Sequence, residues 1–317
     1  MEKRKIILDC DPGHDDAIAM LLAWGSPVID LVAVTTVAGN QTIEKVTRNA
    51  LAVARVGNMQ GLTIAKGSRR PIIRPETENA PSIHGDSGMD GPRSPKPMHT
   101  LDPRSGVQVI IDTIMQNPPK TITLVPTGAL TNIALAARVE PRIVERVKEV
   151  VLMGGGAHVG NWSACAEFNI KIDPEAAYCV FHEKWPVTMI GLDVTHKALA
   201  TPAVMADIAA LGTKPAKFVC DLIDFFGKMY RKEQGFDAPP VHDACAVAYV
   251  IDPTLFTTRR CPIEVELTGT ATLGMTVCDF RKLDYPDCST QVALDIDHGR
   301  FWALITDALK RIGQVEF

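Results

Sequence analysis

The sequence predicts an α/β protein: a mostly parallel central sheet flanked by helices, with extra helices and strands toward the C-terminal end. Three observations predict it. Short apolar runs alternate with helix-period segments through most of the chain, the order that parallel strands and crossover helices require. The runs are bounded by turn residues and rich in Val, Ile and Thr, which suit strands. The last third breaks the alternation, with helical stretches in succession before a group of short strand candidates.

Taken in order, residues 6–10 form a short buried strand and residues 15–24 a helix. A Val- and Thr-rich strand over 31–37 precedes a helix over 43–56. Residues 67–104 are polar and rich in Pro and Gly. Loops longer than about 12–15 residues are usually functional or mobile, and a mobile loop is the expectation here. Helix 107–115, strand 122–126, helix 133–138 and strand 150–153 resume the alternation. Asp173-Pro174-Glu175 marks the start of a helix over 174–182, with Asp as N-cap, Pro in the first turn and an acid behind it. Strand 187–191 follows, then helices over 202–211 and 216–230, a loop over 235–240, strands near 263–267, 275–277 and 291–294, and an amphipathic helix over 301–312. No repeat, low-complexity tract or linker interrupts the sequence, so one domain over 1–317 is expected.

At 317 residues the chain is long enough to bury about three quarters of its unfolded surface. Its 46% hydrophobic and 22% charged residues exclude disordered and collagen-like classes. With 33 basic and 37 acidic residues the net charge is −4, which offers no electrostatic footprint for nucleic acid. The eight cysteines contain no CxxC pair, so a zinc ribbon or thioredoxin-like motif is absent; reduced thiols in a cytoplasmic protein are expected. Only Ile6, Ile7 and Leu8 are apolar before Asp9, too few for a secretion signal. The longest uncharged stretch, residues 121–137, contains Pro126, Gly128 and Asn132 and reads as strand, turn and helix start, so no membrane span is expected.

The most informative segment is Asp9-Cys10-Asp11-Pro12-Gly13-His14-Asp15-Asp16, at the carboxyl end of the first strand. That edge is where open α/β sheets bind ligands. Residues 9 and 11 lie two apart on an extended chain, and a Pro-Gly turn returns Asp15 and Asp16 toward them. Four carboxylates this close repel one another, and a hard divalent cation such as Ca²⁺ is the economical way to offset them. No thiol or imidazole cluster suggests zinc instead. Helix capping explains Asp11, Asp15 and Asp16 but leaves Asp9 unexplained. A phosphatase of the haloacid-dehalogenase type also carries Asp-x-Asp after a first strand, but Pro12-Gly13 and the second acidic pair depart from that pattern.

These residues resemble the signature of the nucleoside hydrolases, closest to the inosine–uridine-preferring type. The resemblance continues nearly end to end in Gly39-Asn40-Gln41-Thr42, His84-Gly85-Asp86-Ser87-Gly88, Pro126-Thr127-Gly128, Met153-Gly154-Gly155, Glu167-Phe168-Asn169, Gly191-Leu192-Asp193-Val194-Thr195 and Val241-His242-Asp243. It implies an open Rossmann-like sheet and an enzyme that hydrolyses purine and pyrimidine ribonucleosides to ribose and free base with a bound Ca²⁺. By position it implies Asp11, Asp16, Asp243 and the backbone carbonyl of Thr127 as metal ligands. Asp11 is also the implied base toward a water held on the metal. Asp15, Asn40, Asn161, Glu167 and Asn169 match residues that hold the ribose hydroxyls, and Met153 a backbone contact to the sugar. His242 matches the histidine associated with protonating the leaving base, and Asp9 a supporting position. A homodimer or homotetramer is implied by analogy.

The chemistry suits these residue types. A cation acidifies water and orients it, a carboxylate takes its proton, and further carboxylates stabilise an oxocarbenium-like transition state. Phe168, His84, Phe226 and Tyr230 are candidates to contact the base, and His84 is expected in a loop that closes over the site. No basic cluster awaits a phosphate, so the expected substrate has a free 5′-hydroxyl. A non-catalytic nucleoside-binding protein is the reading that turnover would exclude. Phe226 stands where many relatives carry tyrosine, and His14 where some carry leucine.

Overall fold

The computed structural model describes residues 3–96 and 100–314. Its main sheet has eight strands, and a separate two-stranded sheet lies nearby. In chain order the strands are β1 (Arg4–Cys10), β2 (Ile29–Thr36), β3 (Thr63–Lys66), β4 (Ile122–Pro126), β5 (Glu149–Met153), β6 (Val187–Ile190), β7 (Phe256–Arg260), β8 (Ile263–Val265), β9 (Thr276–Cys278) and β10 (Thr290–Ile296). Across the main sheet they run β3-β2-β1-β4-β5-β6-β10-β7, while β8 and β9 pair with each other. Every neighbouring pair in the main sheet is parallel except β10 with β7.

The chain winds outward from β1 to β3, then returns to β4 and winds the other way. The order therefore reverses between β1 and β4, and a crevice opens there beyond their carboxyl ends. Asp9 of β1 pairs with Pro126 of β4 in the last register position of that ladder. Whatever follows Cys10 and Pro126 is thereby delivered to the crevice.

Burial explains why these runs form strands. Residues 6–10 of β1 are buried on both faces, as expected for a parallel strand covered by helices on each side. Ile6, Leu8 and Cys10 enter one core cluster and Ile7 the opposite one, following the two-residue strand period. The first core includes apolar residues of the helices His14–Gly25, Asp243–Ile251 and His298–Gly313. The second is lined by helices Gly106–Gln116, Thr131–Val139 and Pro174–Phe181. Asp173 caps the last of these, its Oδ1 accepting from the Ala176 N–H at 3.1 Å.

Several elements differ from expectation, the short helices Arg142–Arg146, Phe168–Ile172 and Leu192–Thr195 among them. Strand β3 is four residues long, too short for a pattern to stand out. Helix Asp243–Ile251 is buried along nearly its whole length, so it lacks the amphipathic period that reveals a surface helix. Strand β7 reads Phe-Thr-Thr-Arg-Arg and lies at the sheet edge, where polar residues are tolerated. Within residues 67–96 the chain forms helix Pro81–His84, and His84 is buried. Among the described residues no helix is long and apolar enough to cross a membrane.

Candidate active site

Asp11 follows β1 and is completely buried. Its Oδ2 accepts the Asn40 backbone N–H at 2.6 Å, while its Oδ1 has no hydrogen-bond partner among the described residues. The flanking turns fit around this carboxylate only as glycines. A Cβ on Gly39 would lie 2.1 Å from Oδ2, and one on Gly128 2.7 Å from Oδ1. Gly39-Asn40 and Thr127-Gly128 are therefore shaped by close approach to Asp11.

Asp16 sits in the first turn of helix His14–Gly25. It accepts from the Gly13 N–H at 3.0 Å, the Asn40 amide at 3.2 Å and the Thr127 hydroxyl at 3.0 Å. Asp15 accepts the His242 backbone N–H at 3.3 Å, which ties it to the start of helix Asp243–Ile251. Asp15, Asp16 and Asp243 are all buried, and each offers a carboxylate oxygen within 4.8 Å of the others. The geometry thus gathers Asp15, expected on the sugar, into the cluster with two expected metal ligands. Residues 15 and 16 are consecutive in one helical turn, and the tertiary fold brings the N-terminus of helix Asp243–Ile251 against them.

Asp9 stands apart. Its Oδ1 accepts from Thr35 Oγ1 at 2.6 Å and Asn132 Nδ2 at 2.8 Å, and its Oδ2 is unpaired among the described residues. Burial pushes its carboxyl up to about 7. It supports the strand ends that carry Asp11 and Thr127, whose N–H donates to the Asp9 carbonyl at 2.8 Å.

The electrostatics follow from packing anions in a dry site. Burial, then repulsion from Asp16, pushes Asp15 up to about 7 and Asp11 well above the usual carboxylate range. Burial raises Asp16 as well. Burial followed by repulsion from Asp15, Asp16 and Asp11 pushes Asp243 well up. A divalent cation would invert this balance by favouring the charged forms. The donors are hard oxygens, Asp11 Oδ1 is unsatisfied and the cluster is compact, so the residues fit a Ca²⁺- or Mg²⁺-type ion rather than a thiophilic one.

Above the cluster lies a cavity of ≈ 310 Å³. Every expected sugar- or base-contacting residue lines it: Asp15, Asn40, His84, Met153, Asn161, Glu167, Phe168, Asn169, Phe226 and Tyr230. Thr127, His242 and Asp243 do so too, while Asp11 and Asp16 lie outside the lining. Glu167 is the N-cap of helix Phe168–Ile172, its carboxylate accepting from the Asn169 and Ile170 N–H groups and from Gly155 N–H at 2.9, 3.2 and 2.9 Å. Asn169 Nδ2 donates to the carbonyls of Thr127 and Met153 at 2.9 and 3.2 Å. Asn161 Oδ1 accepts the Phe168 N–H at 3.0 Å. These contacts make one rigid polar wall.

His242 has both ring nitrogens engaged, Nδ1 with Thr195 Oγ1 at 2.8 Å and Nε2 with the Tyr230 hydroxyl at 2.7 Å. Burial holds the imidazole well below its ordinary pKa and pushes the phenol well up. Phe226, almost fully buried, stacks with His14 and meets Tyr230 edge-on at 4.7 Å. Sequence reasoning missed Trp162, which lines the cavity, meets Phe168 edge-on at 4.8 Å and donates from Nε1 to Glu78 at 2.5 Å. Its one signal was adjacency to Asn161. Glu233 and Gln234, also in the lining, gave none.

A carboxylate cluster and a polar cavity at the switch point of a doubly wound sheet are the layout of a small-molecule enzyme. Residues 6–303 match the family model described as inosine-uridine preferring nucleoside hydrolase. The chain is 58% identical over 311 residues to an inosine-uridine preferring nucleoside hydrolase of Leishmania major, covering 98% of each. It is 41% identical over 307 residues to a pyrimidine-specific ribonucleoside hydrolase of Photobacterium profundum, covering 96% of this chain and 98% of that one. It superposes on the purine-preferring ribonucleoside hydrolase of Gardnerella vaginalis with a TM-score of 0.92 at 35% identity, over 98% of this chain and all of that one. The chain belongs to the inosine-uridine preferring nucleoside hydrolase family and is a nucleoside-hydrolysing enzyme.

Proposed function

We propose that this chain hydrolyses the N-glycosidic bond of purine and pyrimidine ribonucleosides to ribose and free base with a bound Ca²⁺ held by Asp11, Asp16, Asp243 and the Thr127 carbonyl. The observation that carries this reading is the buried carboxylate cluster beneath a cavity walled by sugar-type hydrogen-bonding groups. Asp15 lies close enough to the cluster to share its charge. When bound, the ion supplies charge neutralisation, a template for vicinal hydroxyls and acidification of water.

The chain's own groups do the rest. Asp11, with one oxygen fixed by Asn40 and the other free, is the base that takes the proton from the attacking water. Asn40, Asn161, Glu167 and Asn169 orient the ribose, and the Met153 carbonyl adds a backbone contact. The surrounding carboxylates stabilise positive charge developing at the anomeric carbon. His242 and Tyr230, both lining the cavity, form the hydrogen-bonded pair from which a proton reaches the departing base. His84 and Phe168 contact the base side.

We place the enzyme in the cytoplasm, as a single domain assembled into a homodimer or homotetramer, acting on neither nucleic acid nor membrane. The resemblance to the family and the lack of basic surplus support this. The test is reducing-sugar release from inosine and uridine by the full chain, with and without chelator. Turnover that chelation abolishes and Ca²⁺ restores is expected. Tight nucleoside binding without turnover, or phosphate release from nucleotides, would overturn the reading.

A further inference from the structure

His14 stands in the middle of the acidic loop yet neither lines the cavity nor enters the carboxylate cluster. It is fully buried, with its ring stacked on Phe226 at 4.9 Å and Phe225 at 5.3 Å. Both ring nitrogens have partners: Nε2 lies 2.8 Å from the Asp90 backbone oxygen and Nδ1 lies 3.2 Å from Nδ1 of His84. Gly13 lets the two rings meet there, because a Cβ at that position would lie 2.4 Å from His84 Nδ1.

The protons on this chain of contacts follow from donor and acceptor rules. A carbonyl oxygen only accepts, so His14 Nε2 carries a proton. His14 is completely enclosed between two phenyl rings with no carboxylate among the described residues hydrogen-bonded to either ring nitrogen, and a buried unpaired charge is costly, so its ring is neutral. A neutral imidazole holds a single ring proton, so His14 Nδ1 is an acceptor and His84 Nδ1 must donate to it. Burial also holds His84 neutral. Its Nε2 is then a bare lone pair. That atom has no hydrogen bond among the described residues and is not among the enclosed unpaired polar atoms, while His84 lines the cavity.

We propose that His14 is a positioning residue that, braced on the Asp90 carbonyl, locks His84 in its Nδ1–H form so that His84 Nε2 presents a hydrogen-bond acceptor to the cavity. The acceptor selects a ligand group that carries a proton, a hydroxyl or a ring N–H, and disfavours an unprotonated ring nitrogen at that place. The kinetic consequence rests on the proposed ribonucleoside site; the tautomer does not.

The test uses the full chain supplied with Ca²⁺ and labelled with ¹⁵N-histidine, with His84 assigned through a His84→Asn variant. Long-range proton–nitrogen correlation is expected to show His84 protonated at Nδ1 and bare at Nε2. His14→Leu is expected to abolish that fixed state. His14→Gln, whose amide can donate to the Asp90 carbonyl and accept from His84, is expected to retain it. With inosine, His14→Leu should lower kcat/KM about 3- to 10-fold, the worth of one neutral hydrogen bond, and His14→Gln should recover most of the loss. In a His84→Ala background His14→Leu should cost nothing further. An Nε2–H signal for His84 in the wild-type protein overturns the proposal, and that spectrum decides even if the leucine variant fails to fold. So does an undiminished effect of His14→Leu when His84 is absent. Failure of the wild-type protein to cleave inosine would count against the proposed function and leave the spectral result standing.

Discussion

Replacing Glu167 by alanine removes the acceptor of three buried N–H groups at once. Two belong to the first turn of helix Phe168–Ile172, where no intrahelical partner exists, and the third is Gly155, just beyond β5. Leaving a buried donor unsatisfied costs about 1–3 kcal/mol. The lower part of that range applies, because burial opposes the Glu167 charge, pushing its carboxyl up to about 7, and deletion relieves that burden. Three donors then cost about 3–5 kcal/mol together. At about 2.1 cal/mol/K per residue, a chain of 317 residues unfolds with an entropy of about 0.7 kcal/mol/K, so Tm should fall by about 4–8 °C. Glu167→Gln keeps an acceptor oxygen and should lose about half as much. Differential scanning calorimetry on Ca²⁺-saturated protein reads both. Because Asn169 and Gly155 are displaced from the sugar wall, inosine turnover by the alanine variant should also drop about 10²-fold or more. An alanine variant melting within about 1 °C of wild type, with turnover intact, would refute the assignment of Glu167 as the brace of this wall.

Asn132→Ala removes donors to Asp9 and the Thr36 carbonyl and an acceptor for the Ser68 N–H, and should cost about 2–4 kcal/mol in urea unfolding. Gly128→Ala forces a Cβ to 2.7 Å from Asp11 Oδ1; the overpacking, about 1–3 kcal/mol, should appear as weakened Ca²⁺ binding by titration calorimetry. Tyr230→Phe deletes the hydroxyl 2.7 Å from His242 Nε2 and should lower kcat for inosine about 10-fold while leaving Tm within about 2 °C, measured by steady-state kinetics and thermal melts. A wall built to bond hydroxyls should discriminate against 2′-deoxyinosine by about 10⁴ in kcat/KM, read from paired substrate assays.

What was legible in the sequence was what local pattern encodes. Strand β4 and helix Ile43–Val56 have the expected bounds, because one is a continuous apolar run before a turn and the other has a strong helical period. The acidic loop declared itself through like charges at a strand end, a conflict that burial turns into a requirement for a ligand. Where local pattern and tertiary context part, reading failed. Helix Asp243–Ile251 is apolar on every side because it is enclosed, so no period marks it. The grouping of Asp15 with Asp16 and Asp243 depends on two helix N-termini facing each other across 227 positions, a contact fixed by the His242 N–H. His84 reads as loop residue because its anchor, His14, lies 70 positions away. Trp162 and Glu78 meet only once two loops fold over the cavity.

The proposed function requires a divalent cation among the buried carboxylates of Asp11, Asp16 and Asp243. Equilibrium dialysis of chelator-stripped protein against Ca²⁺ tests it directly, beside Asp16→Asn and Asp243→Asn variants shown by melting to be folded. Tight binding at a single site per chain, lost in both variants together with ribose release from inosine, is the predicted result. Stripped protein that takes up no Ca²⁺ and still cleaves inosine at full rate would contradict it.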